Sequence, residues 1–150
     1  MRPPGPLRVG LQVGHWKNGE LPDELIHLRE HGGGTQGGGK AEWEVCLTIA
    51  QETAKLLEVK GIVVDLLPAT VPPDYSADLF ISLHADGSTD RRASGFKAAS
   101  PWRDLTNRGQ ELVSLFEEHY ASTTKLRLDP NVTRNMRGYY AFNWRKYEHS

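Results

Sequence analysis

The sequence predicts an α/β fold, a mostly parallel central sheet with helices on both faces, formed as one domain across residues 1–150. Three observations lead there. Residues 7–13 alternate apolar and polar side chains, residues 41–60 carry apolar side chains on a 3.6-residue period, and short apolar runs follow at 62–67 and 79–83. Strands separated by a helix need crossover connections, which make neighbouring strands parallel. A chain of 150 residues is the usual size of one domain and leaves little room for a second core.

In chain order, Leu7, Val9, Leu11 and Val13 alternate with Arg8, Gly10 and Gln12, the period-two pattern of a strand that ends at Gly14 and His15. Residues 16–40 have no sustained period and hold two glycine triplets, 32–34 and 37–39, so they read as a long loop with one helical turn at 21–31, bordering a functional pocket. In residues 41–60, Cys46, Ile49, Ala50, Leu56 and Leu57 fall on one helical face, and Gly61 supplies the stop. The β-branched strand 62–67 ends at Pro68. Residues 79–83 are apolar on both faces except for Ser82, which predicts a central parallel strand with His84 at its C-terminal end. Ser100 and Pro101 offer an N-cap and first-turn proline for a second helix through Leu105, Leu112, Leu115, Phe116 and His119. The tail at 139–144 is expected to add a last strand.

Composition removes several classes of function. Net charge is −1, which provides no long-range field for a phosphate backbone, so nucleic acid is not an expected partner. Cys46 is the only cysteine, which rules out an internal disulfide and a cysteine-rich zinc module. No run approaches the ~18 apolar residues of a membrane span, and residues 1–6 lack the apolar centre of a signal peptide. The glycine clusters are not followed by Gly-Lys-Ser/Thr and form no phosphate loop.

What remains is a constellation of His15, Glu42 and His84. The predicted strands place both histidines at carboxyl ends on one sheet edge, where ligands collect in open α/β sheets, and Glu42 opens the first helix towards that edge. Two imidazoles and a carboxylate form the ligand set of a catalytic zinc with an open position. The same residue types near loops also serve as ordinary hydrogen-bonded groups, and Glu44 is a competing carboxylate.

The segments Val13-Gly14-His15, Glu42 with Leu47-Thr48-Ile49-Ala50, and Ala77-Asp78-Leu79-Phe80-Ile81-Ser82-Leu83-His84-Ala85-Asp86 together resemble the zinc-dependent N-acetylmuramoyl-L-alanine amidases, amidase type 3 cell-wall hydrolases. The last of these segments is similar to that family's "ADLFISIHAN" pattern, and Gly95 falls where the family has a glycine before its next strand. The resemblance covers about residues 7–97 and implies a phosphorylase/hydrolase-like fold, Zn2+ as cofactor and His15, Glu42 and His84 as its ligands, with Glu42 preferred to Glu44. It also implies peptidoglycan or a muramoyl-peptide as substrate and an extracytoplasmic location, in the periplasm, cell wall or medium, if the source is bacterial. The family's Gly-His-Gly is Gly14-His15-Trp16 here, and its Thr-Arg after the second strand is Leu67-Pro68. Its C-terminal Glu-Thr-Gly-Phe type motif has no counterpart before Ser150, so the catalytic base is unassigned and the chain is expected to lack the domain's C-terminal end.

Two further functional readings follow: a non-catalytic peptidoglycan-binding or regulatory module that retains the metal pocket, and a zinc peptidase of similar fold. Oligomeric state has no sequence signal. His27 and His31 are read first as solvated loop residues, Cys46 as a packed core thiol, and Arg127, Arg134 and Arg137 as surface arginines able to meet acidic groups. Trp102, Tyr139 and Trp144 are core or rim aromatics that could also stack on sugars.

Overall fold

The computed structural model describes residues 5–20, 32–104 and 108–142, and it divides the chain into two compact units, Met1–Gly87 and Ser88–Ser150. Three parallel strands form the sheet of the first unit: β1 (Arg8–Val13), β4 (Val63–Leu67) and β5 (Leu79–Leu83), in the order β4-β1-β5. A two-residue antiparallel hairpin, β2 (Gln36–Gly37) with β3 (Lys40–Ala41), lies in the glycine-rich segment that the sequence marks as plain loop. The helix α1 (Glu42–Glu58) follows and carries the chain across to β4. The helical turn predicted at 21–31, with His27 and His31, lies outside the described residues.

The parallel α/β arrangement agrees with the sequence, but the position of β5 does not. Residues 79–83 are predicted to be central; instead β1 occupies the centre, paired with β4 from Arg8↔Val63 to Gln12↔Leu67 and with β5 from Val9↔Leu79 to Val13↔Leu83. Every residue of β5 is only half-buried. The alternating β1 is the strand covered on both faces. Val9, Leu11 and Val13 are buried against Cys46, Ala50 and Ala54 of α1. On the opposite face Gly10 and Gln12 meet the 68–78 connection between β4 and β5. A Cβ on Gly10 would sit 2.6 Å from the Tyr75 Oη, so glycine leaves the room that the Tyr75 ring occupies beneath the strand. Buried Gln12 donates to the Ala69 carbonyl at 3.4 Å and accepts from the Ser82 hydroxyl, which is how this polar side chain is satisfied in the middle of a sheet.

The buried face of α1 runs Glu42, Cys46, Ala50, Ala54, four residues apart, and not through Ile49 and Leu56 as the sequence suggests. Ile49 and Leu56 are exposed. Small side chains let the helix axis lie close to the β-branched face of β1, and closeness outweighs the larger but more distant apolar groups. Glu44 returns its carboxylate to accept from the Ala41 amide at 2.7 Å, one half of a capping box, since the alanine N-cap has no side-chain acceptor for the other. Gly61, at φ 78°, ends the helix as predicted.

In the second unit, α2 spans Gly109–Thr124. The predicted cap at Ser100 and Pro101 is corrected: both precede the helix, and its first amide is held by the Asp104 Oδ2 at 2.6 Å. Leu105 lies outside the described residues. An aromatic cluster of Phe96, Phe116 and Tyr120 anchors α2, with Tyr120 4.8 Å from Phe96 and 5.0 Å from Phe116 between ring centres. The strand expected at 139–144 is also corrected, because Met136–Gly138 and Tyr140–Phe142 are 3-10 turns; residues 143–144 lie outside the described set. Among the described residues no helix is long and apolar enough to cross a membrane.

Candidate metal centre

The register of the sheet builds the site. Val13 pairs with Leu83, and the Gly14 amide continues the ladder to the Leu83 carbonyl at 2.9 Å, so the next residues of the two strands, His15 and His84, emerge side by side. Gly14 makes this possible, since a Cβ there would lie 2.3 Å from the His84 ring. The rings meet edge to face with centres 5.5 Å apart. His15 itself has φ 62°, the left-handed turn that takes the chain away from the strand.

Glu42 arrives from the opposite direction, as the first residue of α1 and the last step of its buried stripe. Its amide donates to the Thr35 carbonyl at 2.8 Å. Its Oε1 accepts from the Ala85 amide at 3.0 Å and lies 2.9 Å from His84 Nδ1. Its Oε2 accepts from the Thr35 amide at 3.1 Å and lies 3.8 Å from His15 Nε2. Burial works to raise the carboxyl pKa, but the hydrogen bonds from His84, Ala85 and Thr35 and the charge on His15 outweigh it and lower the pKa to about 2. The group is a fixed anion at neutral pH. The Cys46 thiol below it is pushed up to about 11, first by burial and then by the Glu42 charge, which agrees with an inert core thiol.

The structure thus brings together the three residues singled out in the sequence: His15, Glu42 and His84 offer ligand atoms that all lie within 4.8 Å of one another, a group that could hold a metal ion. Donors about 2.1 Å from a tetrahedral ion stand roughly 3.4 Å apart, so the observed separations close on an ion with small side-chain rotations. The Glu42 side chain is 4% exposed, whereas those of His15 and His84 are 23% and 21% exposed, so the cluster is sealed on the carboxylate side and open to solvent on the imidazole side. Glu44, the competing carboxylate, is exposed and spent on the helix cap.

Three supporting residues have no sequence signal. Gly34, at φ 80°, packs so tightly on the cluster that a Cβ would lie 2.4 Å from Glu42 Oε2 and 2.8 Å from the His15 ring. Thr35 holds Glu42 and shares its hydroxyl with the Ala85 carbonyl at 3.0 Å. Buried Asn18 places its amide nitrogen 3.3 Å from His15 Nδ1 and donates to the Gly32 carbonyl at 2.9 Å. All three sit in residues 16–40, where spacing carries no information, although the segment does border the site as expected. Arg127, Arg134, Arg137, Trp102 and Tyr139 belong to the second unit, and Trp144 lies outside the described residues. No family model matches the chain, and no curated protein matches it.

Proposed function

We propose that the protein is a zinc-dependent amidohydrolase of the cell wall, acting outside the cytoplasm on the amide between N-acetylmuramic acid and L-alanine in peptidoglycan. The convergence of His15, Glu42 and His84 at the carboxyl end of a parallel sheet carries this reading. The residues 77–86 support the substrate class through their likeness to the muramoyl-alanine amidases, and with it a hydrolase architecture with helices on both sheet faces. Two imidazoles and one carboxylate suit zinc, which when bound supplies Lewis-acid polarisation and a water of lowered pKa. The chain's own residues prepare that state. Glu42 is ionised before any ion arrives, the Ala85 and Thr35 amides fix both of its oxygens, and the solvent-facing imidazoles leave a side open for substrate. Hydrolysis would add water across the amide, leaving a lactyl carboxylate and a free alanine amino group.

A second reading, a module that binds muramoyl-peptide without rapid turnover, is favoured by one observation. Among the described residues no second carboxylate joins the cluster, and Glu42 is committed to holding it together. General-base assistance is worth ~10²–10⁴ in rate. The test loads the protein with zinc and measures both binding of a muramoyl-peptide and release of new alanine amino termini, with His15→Ala alongside. Zinc-dependent release that is lost in the variant supports the amidase; saturable binding with no release supports the module. A protein that takes up no zinc, or whose uptake is unchanged in His15→Ala, refutes both.

A further inference from the structure

The second unit contains a groove of about 580 Å³ that has no part in the metal centre, within the ~300–1,000 Å³ range of small-ligand sites. Its lining combines three kinds of group. Gln110, Val113 and Glu117 of α2 line it together with small apolar side chains such as Ala98 and Val132. Trp102, Arg134 and Arg137 complete the lining.

These last three residues are tied to one another. The Trp102 amide donates to the Arg137 carbonyl at 3.1 Å, its indole Nε1 to the Arg134 carbonyl at 3.4 Å, and Arg137 Nε donates to the Ser100 carbonyl at 3.0 Å. The Arg137 guanidinium lies over the indole with its carbon 4.3 Å from the ring centre. A guanidinium fixed through Nε and stacked on one face keeps its terminal nitrogens in a defined plane, the geometry that meets a carboxylate with two parallel hydrogen bonds. Neither Arg134 nor Arg137 has an ion-pair partner among the described residues, and Glu117 in the same groove has none either. Trp102 is 57% exposed, a large aromatic surface left open beside these charges.

We propose that this groove binds a short acidic peptide. The two guanidiniums would take carboxylates, Glu117 would take the ammonium of a free amino terminus, and the alanine and valine lining would accommodate small aliphatic side chains. Two cations against one anion favour a ligand with more carboxylates than amines. The site is independent of the metal and of the proposed hydrolytic reaction, so its test uses the full chain without added zinc.

The probe is the tripeptide Ala-Glu-Glu, followed through the Trp102 indole N–H resonance, assigned by its loss in Trp102→Phe. The structure requires a saturable shift that weakens with added salt and is absent with the uncharged Ala-Gln-Gln-amide. Arg134→Gln and Arg137→Gln should each lower affinity about tenfold or more, as expected for a lost charge-assisted hydrogen bond. Arg137→Lys should fail to restore it, because an ammonium cannot reproduce the planar fork. Glu117→Gln should weaken binding of the free peptide but not of its N-acetylated form. Equal binding of the amidated peptide, affinity unchanged in Arg134→Gln, or tighter binding of a glucuronate-containing disaccharide would overturn the proposal. Arg137 also braces Ser100, so if Arg137→Gln unfolds, Arg134→Gln decides the question, since that side chain makes no hydrogen bond to the described residues.

Discussion

Replacing Gly34 by alanine isolates the contact between the glycine-rich segment and the cluster of His15, Glu42 and His84. Two costs arise, and a second glycine separates them. Gly34 and Gly38 both have positive φ, 80° and 59°, so alanine at either position bears the left-handed penalty of about 1–2 kcal/mol. They differ in surroundings. A Cβ at position 38 meets nothing within 4 Å, whereas at position 34 it falls 2.4 Å from Glu42 Oε2 and 2.8 Å from the His15 ring. Restoring an ordinary contact of at least 3.4 Å means that the carboxylate or the Gly34 backbone must move by about 1 Å. Glu42 cannot move alone, because its oxygens are tied to Thr35 and Ala85. The expected result is that both variants lose stability in urea, Gly34→Ala more than Gly38→Ala because only it bears the clash, and that Gly34→Ala alone loses zinc affinity, by about 10–100-fold, the scale seen when groups that orient metal ligands are disturbed. Competition against a chromophoric chelator measures it. If Gly34→Ala and Gly38→Ala bind zinc within twofold of each other, the close packing of Gly34 on the cluster has no bearing on metal uptake and the account of the site's wall is wrong.

Thr35→Val keeps the amide that holds Glu42 but removes the hydroxyl shared between the Ala85 carbonyl and Glu42 Oε2, so it should cost about 1 kcal/mol in denaturant unfolding and weaken zinc binding, and Thr35→Ser should recover both losses. The carboxyl of Glu42 is lowered in the folded state from 4.5 to about 2, so its contribution is fully present above pH 4.5 and is lost as pH falls towards 2. Urea titrations of the metal-free protein should show that decline, on the order of 3 kcal/mol, and Glu42→Gln should lack it. Ala50→Leu, at a position with 0% exposure, should overpack the helix against β1 and cost about 1–3 kcal/mol, while Leu56→Ala, at 70% exposure, should stay within about 0.5 kcal/mol by thermal unfolding.

The parts of the fold that were legible in the sequence are those whose periodicity reflects burial. Strand β1 alternates because α1 covers one face and the 68–78 loop the other, and α1 shows its period because it lies on a single sheet. The residues at the ends of these elements, His15, Glu42 and His84, lie together for the same reason. Errors came where burial and hydropathy part company. Leu79–Leu83 is as apolar as a central strand but sits half-buried beside β1, and Ile49 and Leu56 have core hydropathy yet are exposed while Ala50 and Ala54 take the buried positions. Ser100-Pro101 has a good cap composition, yet Asp104 reaches the first amide of α2. Gly34, Thr35 and Asn18 act through single contacts, which leave no period to read.

The stripe Glu42, Cys46, Ala50, Ala54 joins two jobs on one helix face. Its last three members pack on β1 and set how close the helix axis lies to the sheet; its first member then emerges at the carboxyl edge, where β1 and β5 deliver their histidines. Core packing and placement of the Glu42 carboxylate are therefore one geometric problem, since a helix displaced along or away from β1 carries Glu42 with it. The hydrogen bonds from Ala85 and Thr35 do not remove that dependence, because they come from the residue after His84 and from the segment leading into the hairpin, both of which are themselves positioned against the same sheet and helix end. A carboxylate buried this deeply and kept ionised is costly unless its partners are fixed in advance, and in this unit the fixing is done by strand register on one side and by three small side chains on the other.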